Sequence, residues 1–267
     1  MADAGAARRG RGCDLCVVVT AFNSLRTIER CLRSVDGLAA SVIVVDSGST
    51  DGTVDLCRSL GAVVHHHAWE GYARQKSFAL SLATDCEWVL LLDSDESLEE
   101  DLRRGLRDAI ERASAEVRGI IINRKMWFEG AWLHRIGFPD WVLRAGRRGA
   151  LRVADRPVHE RVEADGAVIR AAGVCRHDSW DGFCDAVSRN VAYARLGAPL
   201  RKATACPVAT GFLGAAATLV KGLIIERGLL DGWRGWSVAL ANAIGRLAAS
   251  IAATEHERRA SRGTSRR

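Results

Sequence analysis

Four short apolar runs constrain this chain more than anything else in it: LCVVVTAF (15–22), SVIVVD (41–46), AVVHHH (62–67) and EWVLLLD (87–93). Each is strand length and rich in β-branched or large apolar residues, and each ends in polar residues. Helical patterns separate them. Asn23 or Ser24 can cap a helix with Leu25, Ile28, Leu32 and Val35 on one face, and Gly37 marks its end. TVDLCRSLG closes on Gly61, and residues 72–83 read as a third helix. Alternation of this kind predicts an α/β fold with right-handed crossovers and a parallel sheet covered on both faces. In such sheets ligands bind beyond the carboxyl ends of the strands, so the four polar ends are expected on one rim.

The second half reads differently. A charged helix over about 99–113 leads into the strand RGIIINRKMWF, and Trp, Arg and Gly then become dense. The Asp165–Gly166 pair in RVEADGAVIR predicts a hairpin, and antiparallel strands are expected on the edge of the sheet. After Asp181 the pattern is helical. The expected organisation is a basic tail (1–12), one α/β domain (13–180), a helical region (181–260) and a second basic tail (261–267).

Composition narrows the classes. A chain of 267 residues that is 48% apolar can bury a core, and its net charge of +6 is modest. The basic excess gathers at Arg8, Arg9 and Arg11 and again at Arg258, Arg259, Arg262, Arg266 and Arg267. No nucleic-acid role is expected. The eight cysteines sit mostly inside apolar runs, as free thiols of a reducing compartment do, and Cys13–Cys16 has no partner pair at zinc spacing. No signal-peptide pattern follows the basic start, so a cytoplasmic protein is expected. Residues 203–220 lack formal charge but are rich in Ala, Gly and Thr. Leu240, Ile244, Leu247 and Ile251 fall on one helical face. These helices are expected to pack on the domain or lie peripherally on the inner membrane surface.

The chemistry points to the rim. Asp93 and Asp95 in LLLDSDE sit where a strand stops, and a turn can bring both carboxylates to one hard cation, Mg²⁺ or Mn²⁺, alongside phosphate oxygens. Asp46 in VVDSGSTDGT ends a strand, where it can accept from a base imide or ribose hydroxyl. Arg74 and Lys76 precede the acidic turn. Neither G-x-G-x-x-G after the first strand nor a P-loop is present. His65, His66 and His67 alternate across a strand and do not form a shared metal site.

In order and spacing, VVVTAFN, VIVVDSGSTDGT, the Arg74 region and LLLDSDE resemble family 2 glycosyltransferases of the GT-A fold. RKMWFEGAWLHRIGFPDWVLRAGRRGALRV, VHERVEADG, VCRHDSW and LLDGWRGW are similar to bacterial lipopolysaccharide-core β-1,4-glucosyltransferases. The resemblance implies a Rossmann-like, mostly parallel sheet with a C-terminal helical extension. It also implies inverting, metal-dependent transfer of glucose or another hexose from a nucleoside-diphosphate donor, UDP-sugar first among them, to a lipopolysaccharide-core or other lipid-linked glycan. Thr20, Phe22, Asn23, Asp46, Arg74, Asp93 and Ser94 become donor contacts, and Asp93, Asp95 and His177 metal ligands. Glu96 departs from the third Asp common in relatives. Two carboxylates remain candidates for the base that takes the acceptor's proton, Asp140 in GFPDWVLR and Glu160 in VHE, with Glu129 a weaker third. His159 is a second candidate for the metal or a phosphate. Arg144, Arg147, Arg148 and Arg152 form a basic group suited to a phosphorylated acceptor, and Trp127, Trp132, Trp141 and Trp180 are candidates to stack on sugars. Two other classes stay open at this point: a sugar-nucleotide nucleotidyltransferase, and a non-catalytic nucleotide-sugar-binding protein of the membrane surface.

Overall fold

A computed structural model of the chain describes residues 14–154 and 161–264. They fall into two units, one of residues 14–124, 141–154 and 161–177, the other of residues 125–140 and 178–264. The boundary expected at 180 therefore falls three residues earlier. Residues 125–140, ahead of Trp141, join the helical unit, which sequence patterning does not anticipate.

The first unit opens with β1 (Leu15–Ala21), α1 (Ile28–Arg33), β2 (Ser41–Asp46), α2 (Thr53–Ser59), β3 (Val63–His66), α3 (Tyr72–Ser81) and β4 (Trp88–Asp93). Then come β5 (Glu96–Leu98), α4 (Glu100–Glu111) and β6 (Val117–Phe128), whose last residues belong to the second unit. β7 is Ala131–Trp132, β8 Asp140–Arg147, β9 Leu151–Ala154, β10 Arg161–Ala164 and β11 Ala167–His177. The main sheet runs β3-β2-β1-β4-β8-β6-β11-β5, with β7 paired to the end of β6. β3, β2, β1 and β4 are parallel, and β8 joins β4 antiparallel.

β1 is central and covered on both faces, which is why its sequence is an unbroken apolar run rather than an alternating one. Its side chains still divide by parity. Leu15, Val17 and Val19 pack with Ile28, Leu32, Leu90, Leu92, Leu102 and Leu106, while Cys16 and Val18 pack with Val45, Ala79, Val89 and Leu91. Register then places the strand ends together: Thr20 beside Asp93, Ala21 beside Asp46, and Asp46 beside His66. The expected single rim is present.

The hairpin expected at Asp165–Gly166 is not. β10 pairs with β9 in a small separate sheet, and β11 joins the main sheet. Gly166 stays outside the left-handed region. A Cβ there would meet Arg118 Cγ at 2.3 Å, so this glycine serves close packing rather than a tight turn. The hairpin is instead at Glu129–Gly130, both left-handed (φ 48° and 76°), with Trp127 opposite Trp132.

In the second unit, Phe128, Leu133, Ile136, Leu223, Val238 and Ala239 form a core. α5 (Gly182–Leu196), α6 (Pro207–Val220) and α7 (Gly232–Thr264) surround it, so helix continues beyond the expected limit of 260. The buried residues of α7 are chiefly alanines, 239, 241, 243, 249 and 253, and Leu240 is exposed. Of the expected Leu240–Ile251 face, Ile244, Leu247 and Ile251 are half-buried and Leu240 alone is exposed, and the small alanines let α5 and α6 approach α7 closely. Among the described residues two helical stretches, Pro207–Ile225 and Gly228–Ser261, are long and apolar enough to cross a membrane by length and composition.

Candidate functional site

The loops of the rim are tied to one another. After β1, Asn23 takes a left-handed conformation (φ 46°). Its Oδ1 accepts from the Thr50 amide at 2.9 Å, and its own amide donates to Ser49 Oγ at 2.8 Å. The Ser24 amide donates to Thr53 Oγ1 and the Leu25 amide to Asp51 Oδ2. Ser24 Oγ meets Ser94 Oγ at 2.7 Å, joining the β4 loop to the β1 loop. Ser49, Thr50 and Asp51 thus hold the rim in shape, and Phe22 projects from it, 58% exposed.

Asp46 was expected to read a base or ribose. Here its carboxylate accepts from the Gly48 and Ser49 amides at 2.8 and 2.9 Å and from the Ser49 hydroxyl, and the residue is buried. It builds the loop that follows β2. Arg74 extends from α3 toward Glu70, mostly exposed, beside a shallow groove shared with His67, Ser77 and Val153. Gln75 was not singled out in the sequence, yet it is buried, bonding His67 Nδ1, the His67 carbonyl and Ser47 Oγ.

The acidic turn between β4 and β5 is a dense charge cluster. Lys76 Nζ lies 2.7 Å from Asp93 Oδ1, and Arg144 Nη2 lies 2.6 Å from Asp93 Oδ2. The same Arg144 nitrogen reaches Glu96 Oε1 at 2.5 Å, and Arg124 Nη1 reaches it at 2.9 Å. Thr20 Oγ1 donates to Asp93, and the Asp93 amide donates to Glu96 Oε2 at 3.1 Å. Glu96 is wholly buried. Burial pushes both carboxyls up, but the cations overcome it. Lys76 and Arg144 hold Asp93 far below the ordinary carboxylate range, and Arg144 leads in bringing Glu96 down to about 2. The two acids in turn hold the Arg144 proton more tightly, against its own burial.

Asp95 is the exception. Burial raises its carboxyl, the His177 imidazole opposes this, and the charges of Asp93 and Glu96 add to the rise. Its Oδ1 is buried with no hydrogen-bond partner. His177 Nε2, on the strand register opposite Glu96, stands 3.8 Å away, beyond hydrogen-bond reach. An orphaned anionic oxygen beside an imidazole nitrogen is a donor pair suited to a divalent cation, so Asp95 and His177 fit a metal better than Asp93, whose oxygens already face two cations. Among the described residues no three His, Cys, Asp or Glu side chains form a closed cage. Such an open set leaves room for phosphate oxygens and water.

Other expected residues fall elsewhere. Asp140 opens β8, four residues before Arg144. Glu160 and His159 lie outside the described residues, as does Cys13. Arg147 binds the Val117 carbonyl and Glu87 and covers the Trp88 ring, and Arg148 binds the Thr84 carbonyl, so both brace the sheet. Trp180 packs into the second unit's core, whereas Trp141 is 38% exposed beneath Arg170. Lys76 and Arg124 are the members of the cluster that sequence patterning undervalued. A lysine on a helix and an arginine inside a strand carry no local mark of burial.

Residues 16–172, well over half the chain, match the model of the family described as Glycosyl transferase family 2. The chain belongs to glycosyl transferase family 2. Among curated proteins, an uncharacterized glycosyltransferase of Rickettsia bellii (strain RML369-C) is 47% identical over 81 residues, 30% of this chain and 27% of that protein. The lipopolysaccharide core biosynthesis glycosyltransferase LpsC of Rhizobium meliloti (strain 1021) is 32% identical over 166 residues, 58% of each. The chain spans less than two thirds of the length of these curated relatives. The mannosyltransferase PcManGT from Pyrobaculum calidifontis superposes with a TM-score of 0.50 over 90% of this chain and 87% of that one, at 19% identity. That is a likeness of fold. The mixed sheet with flanking helices is the GT-A fold of family 2, followed by C-terminal helices.

Proposed function

We propose that this family 2 member is an inverting, metal-dependent hexosyltransferase. It moves a sugar from a nucleoside diphosphate, UDP foremost, to a lipopolysaccharide-core or other lipid-linked glycan at the cytoplasmic face of the inner membrane. The observation that carries the reading is the partnerless, buried Asp95 oxygen beside His177. Asp95 and His177 would hold Mg²⁺ or Mn²⁺. Bound there, the ion supplies positive charge against which a diphosphate leaves. Lys76 and Arg144 keep Asp93 ionised and fixed, so the turn keeps its shape while charge moves beside it. Thr20, Phe22, Asn23, Arg74 and Ser94 line the donor side, with Asp46 acting through the loop it builds. Asp140 is the proposed base, taking the acceptor hydroxyl's proton, and its support is its spacing in sequence, four residues before Arg144. Glu160 is the alternative. The likeness to LpsC supports the acceptor class.

A donor screen reading nucleoside diphosphate release, with Mn²⁺ and with chelator, tests this. One UDP-hexose is expected to turn over with metal and to stop with chelator. Asp95→Asn is expected to lower kcat by about 10³ and to weaken Mn²⁺ binding read by calorimetry. Equal turnover and equal Mn²⁺ affinity in Asp95→Asn would sink the reading. So would donor binding with no release by the unaltered protein over hours.

A further inference from the structure

The second unit keeps its inside and outside sharply different over residues 220–236. On the inside, Gly222, Leu223 and Gly228 are buried, and backbone meets backbone. A Cβ on Gly228 would come within 2.7 Å of the Gly222 carbonyl oxygen, and one on Gly235 within 2.0 Å of the Gly228 carbonyl oxygen. The turn joining α6 to α7 is therefore a fixed piece of structure. On the outside stand Val220, Ile224, Ile225, Leu230, Trp233 and Trp236, each between 49 and 72% exposed. Soluble surfaces scatter such residues singly; six of them exposed within seventeen residues of one rigid turn mark a contact.

The charges of the segment are sorted as well. Both acids turn inward. Asp231 accepts from the amides of His134, Arg135 and Ile136 at 2.8 to 3.0 Å, and Glu226 accepts from the Gly137 amide and pairs with Lys221. Two cations stay at the surface, Lys221, 66% exposed, and Arg227; Arg234 is half-buried, its Nε donating to the Glu129 carbonyl and its guanidinium lying over the Trp233 ring.

We propose that this turn inserts its apolar side chains into the headgroup layer of a bilayer containing anionic phospholipid. Isoleucine and leucine would enter the acyl boundary, the two tryptophans would sit at the interface with their indole N–H groups wet, and Lys221 and Arg227 would meet lipid phosphate. A second copy of the chain fits this surface less well, because a two-fold contact would set the same cations against each other. Spanning by Gly228–Ser261 fits less well too: 44% of its most apolar stretch is buried within the protein, and Arg246 stands exposed in α7. The proposal deepens the reading of a membrane-borne acceptor and rests on it only for its purpose, since the contact is argued from this surface alone.

The test uses the full chain with vesicles of phosphatidylcholine, with or without phosphatidylglycerol. Binding is read by co-sedimentation and by quenching of tryptophan with brominated acyl chains. The unaltered protein is expected to bind anionic vesicles about tenfold more tightly than neutral ones. Ile225→Asp with Leu230→Asp changes two side chains at least 70% exposed and is expected to reduce binding roughly a hundredfold while circular dichroism stays unchanged. Lys221→Gln with Arg227→Gln is expected to abolish only the preference for anionic lipid. Sedimentation of the unaltered protein with neither vesicle, or equal binding by the aspartate variant, overturns the proposal. A dimer in light scattering that the aspartate substitutions convert to monomer also overturns it and assigns the surface to a second copy. Nucleotide release from a soluble donor, measured on the same samples, tells failure of this proposal from failure of the enzymatic one.

Discussion

Arg144 divides one guanidinium nitrogen between Asp93 and Glu96, and all three groups depend on that arrangement. Removing it leaves Glu96, with no exposed surface, facing Arg124 alone. Breaking a buried pair by removing one partner leaves an undercompensated charge, so Arg144→Met is expected to lower unfolding free energy by about 3 kcal/mol at neutral pH. Glu96→Gln in that background should return part of the loss. The pH dependence has a definite sign. The Glu96 carboxyl titrates at about 2 rather than 4.5. Its contribution to stability is therefore complete above the ordinary carboxylate range and disappears as pH falls from 4.5 through about 2. Urea unfolding between pH 7 and pH 3 should show a smaller decline for Glu96→Gln than for the unaltered protein; identical slopes would mean the carboxylate is not held by its cations. Asp93 and Asp95 were legible in sequence because a strand ending in acids is a local pattern. The division of labour between them was not, because it is set by Lys76, Arg124 and Arg144, which arrive from 17 to 51 residues away.

At the level of elements, sequence period named β1 to β4, β6 and the helices α1 to α4, since a central β1 or β4 has little choice of partner once both its faces are apolar; β5, β8 and β9, short or added antiparallel, carry no such period. Turn chemistry misled once, because a glycine has two uses that look alike in sequence. Gly166 is there for lack of a side chain, Gly130 for its positive φ. The first use also governs how α4 seats on the sheet. A Cβ on Gly105 would lie 2.1 Å from the Ala172 carbonyl oxygen, and one on Gly173 would lie 2.3 Å from the Leu102 nitrogen, backbone in both cases. α4 therefore touches β11, the strand that carries His177 at its end. Gly105→Ala must push the helix off the strand, a strain of about 1–3 kcal/mol. The thermal midpoint of this variant should fall by several degrees, roughly 2–4 °C for each kcal/mol of strain in a domain of this order of size. An unchanged midpoint would show that α4 does not pack on glycine at all.

For the molecule as a whole, cysteine placement separates the two units. Cys16, Cys31, Cys57, Cys86 and Cys175 are buried in the first, while Cys184 and Cys206 are exposed in the second. Burial pushes the first five thiols up, Cys57 and Cys86 to about 11, so at pH 8 they are both covered and protonated. Sequence indicated free, buried thiols but not this partition, because the residues that join a unit do so through distant contacts, as 125–140 do with the helices. The partition makes a measurement possible. Pulse alkylation at pH 8 along a urea gradient, read by peptide mass spectrometry, should modify Cys184 and Cys206 without urea. The other five should stay protected until a single later midpoint, since they share two cores built on the same strands β1 and β4. If Cys16 and Cys86, in the core that α3 covers, became reactive well before Cys31 of α1 and Cys175 of β11 in the other, the two faces of the sheet would open independently. The rim joining them would then not hold its shape by the sheet alone, and the ties through Asn23, Ser24 and Ser94 would carry more of that task than the strands do.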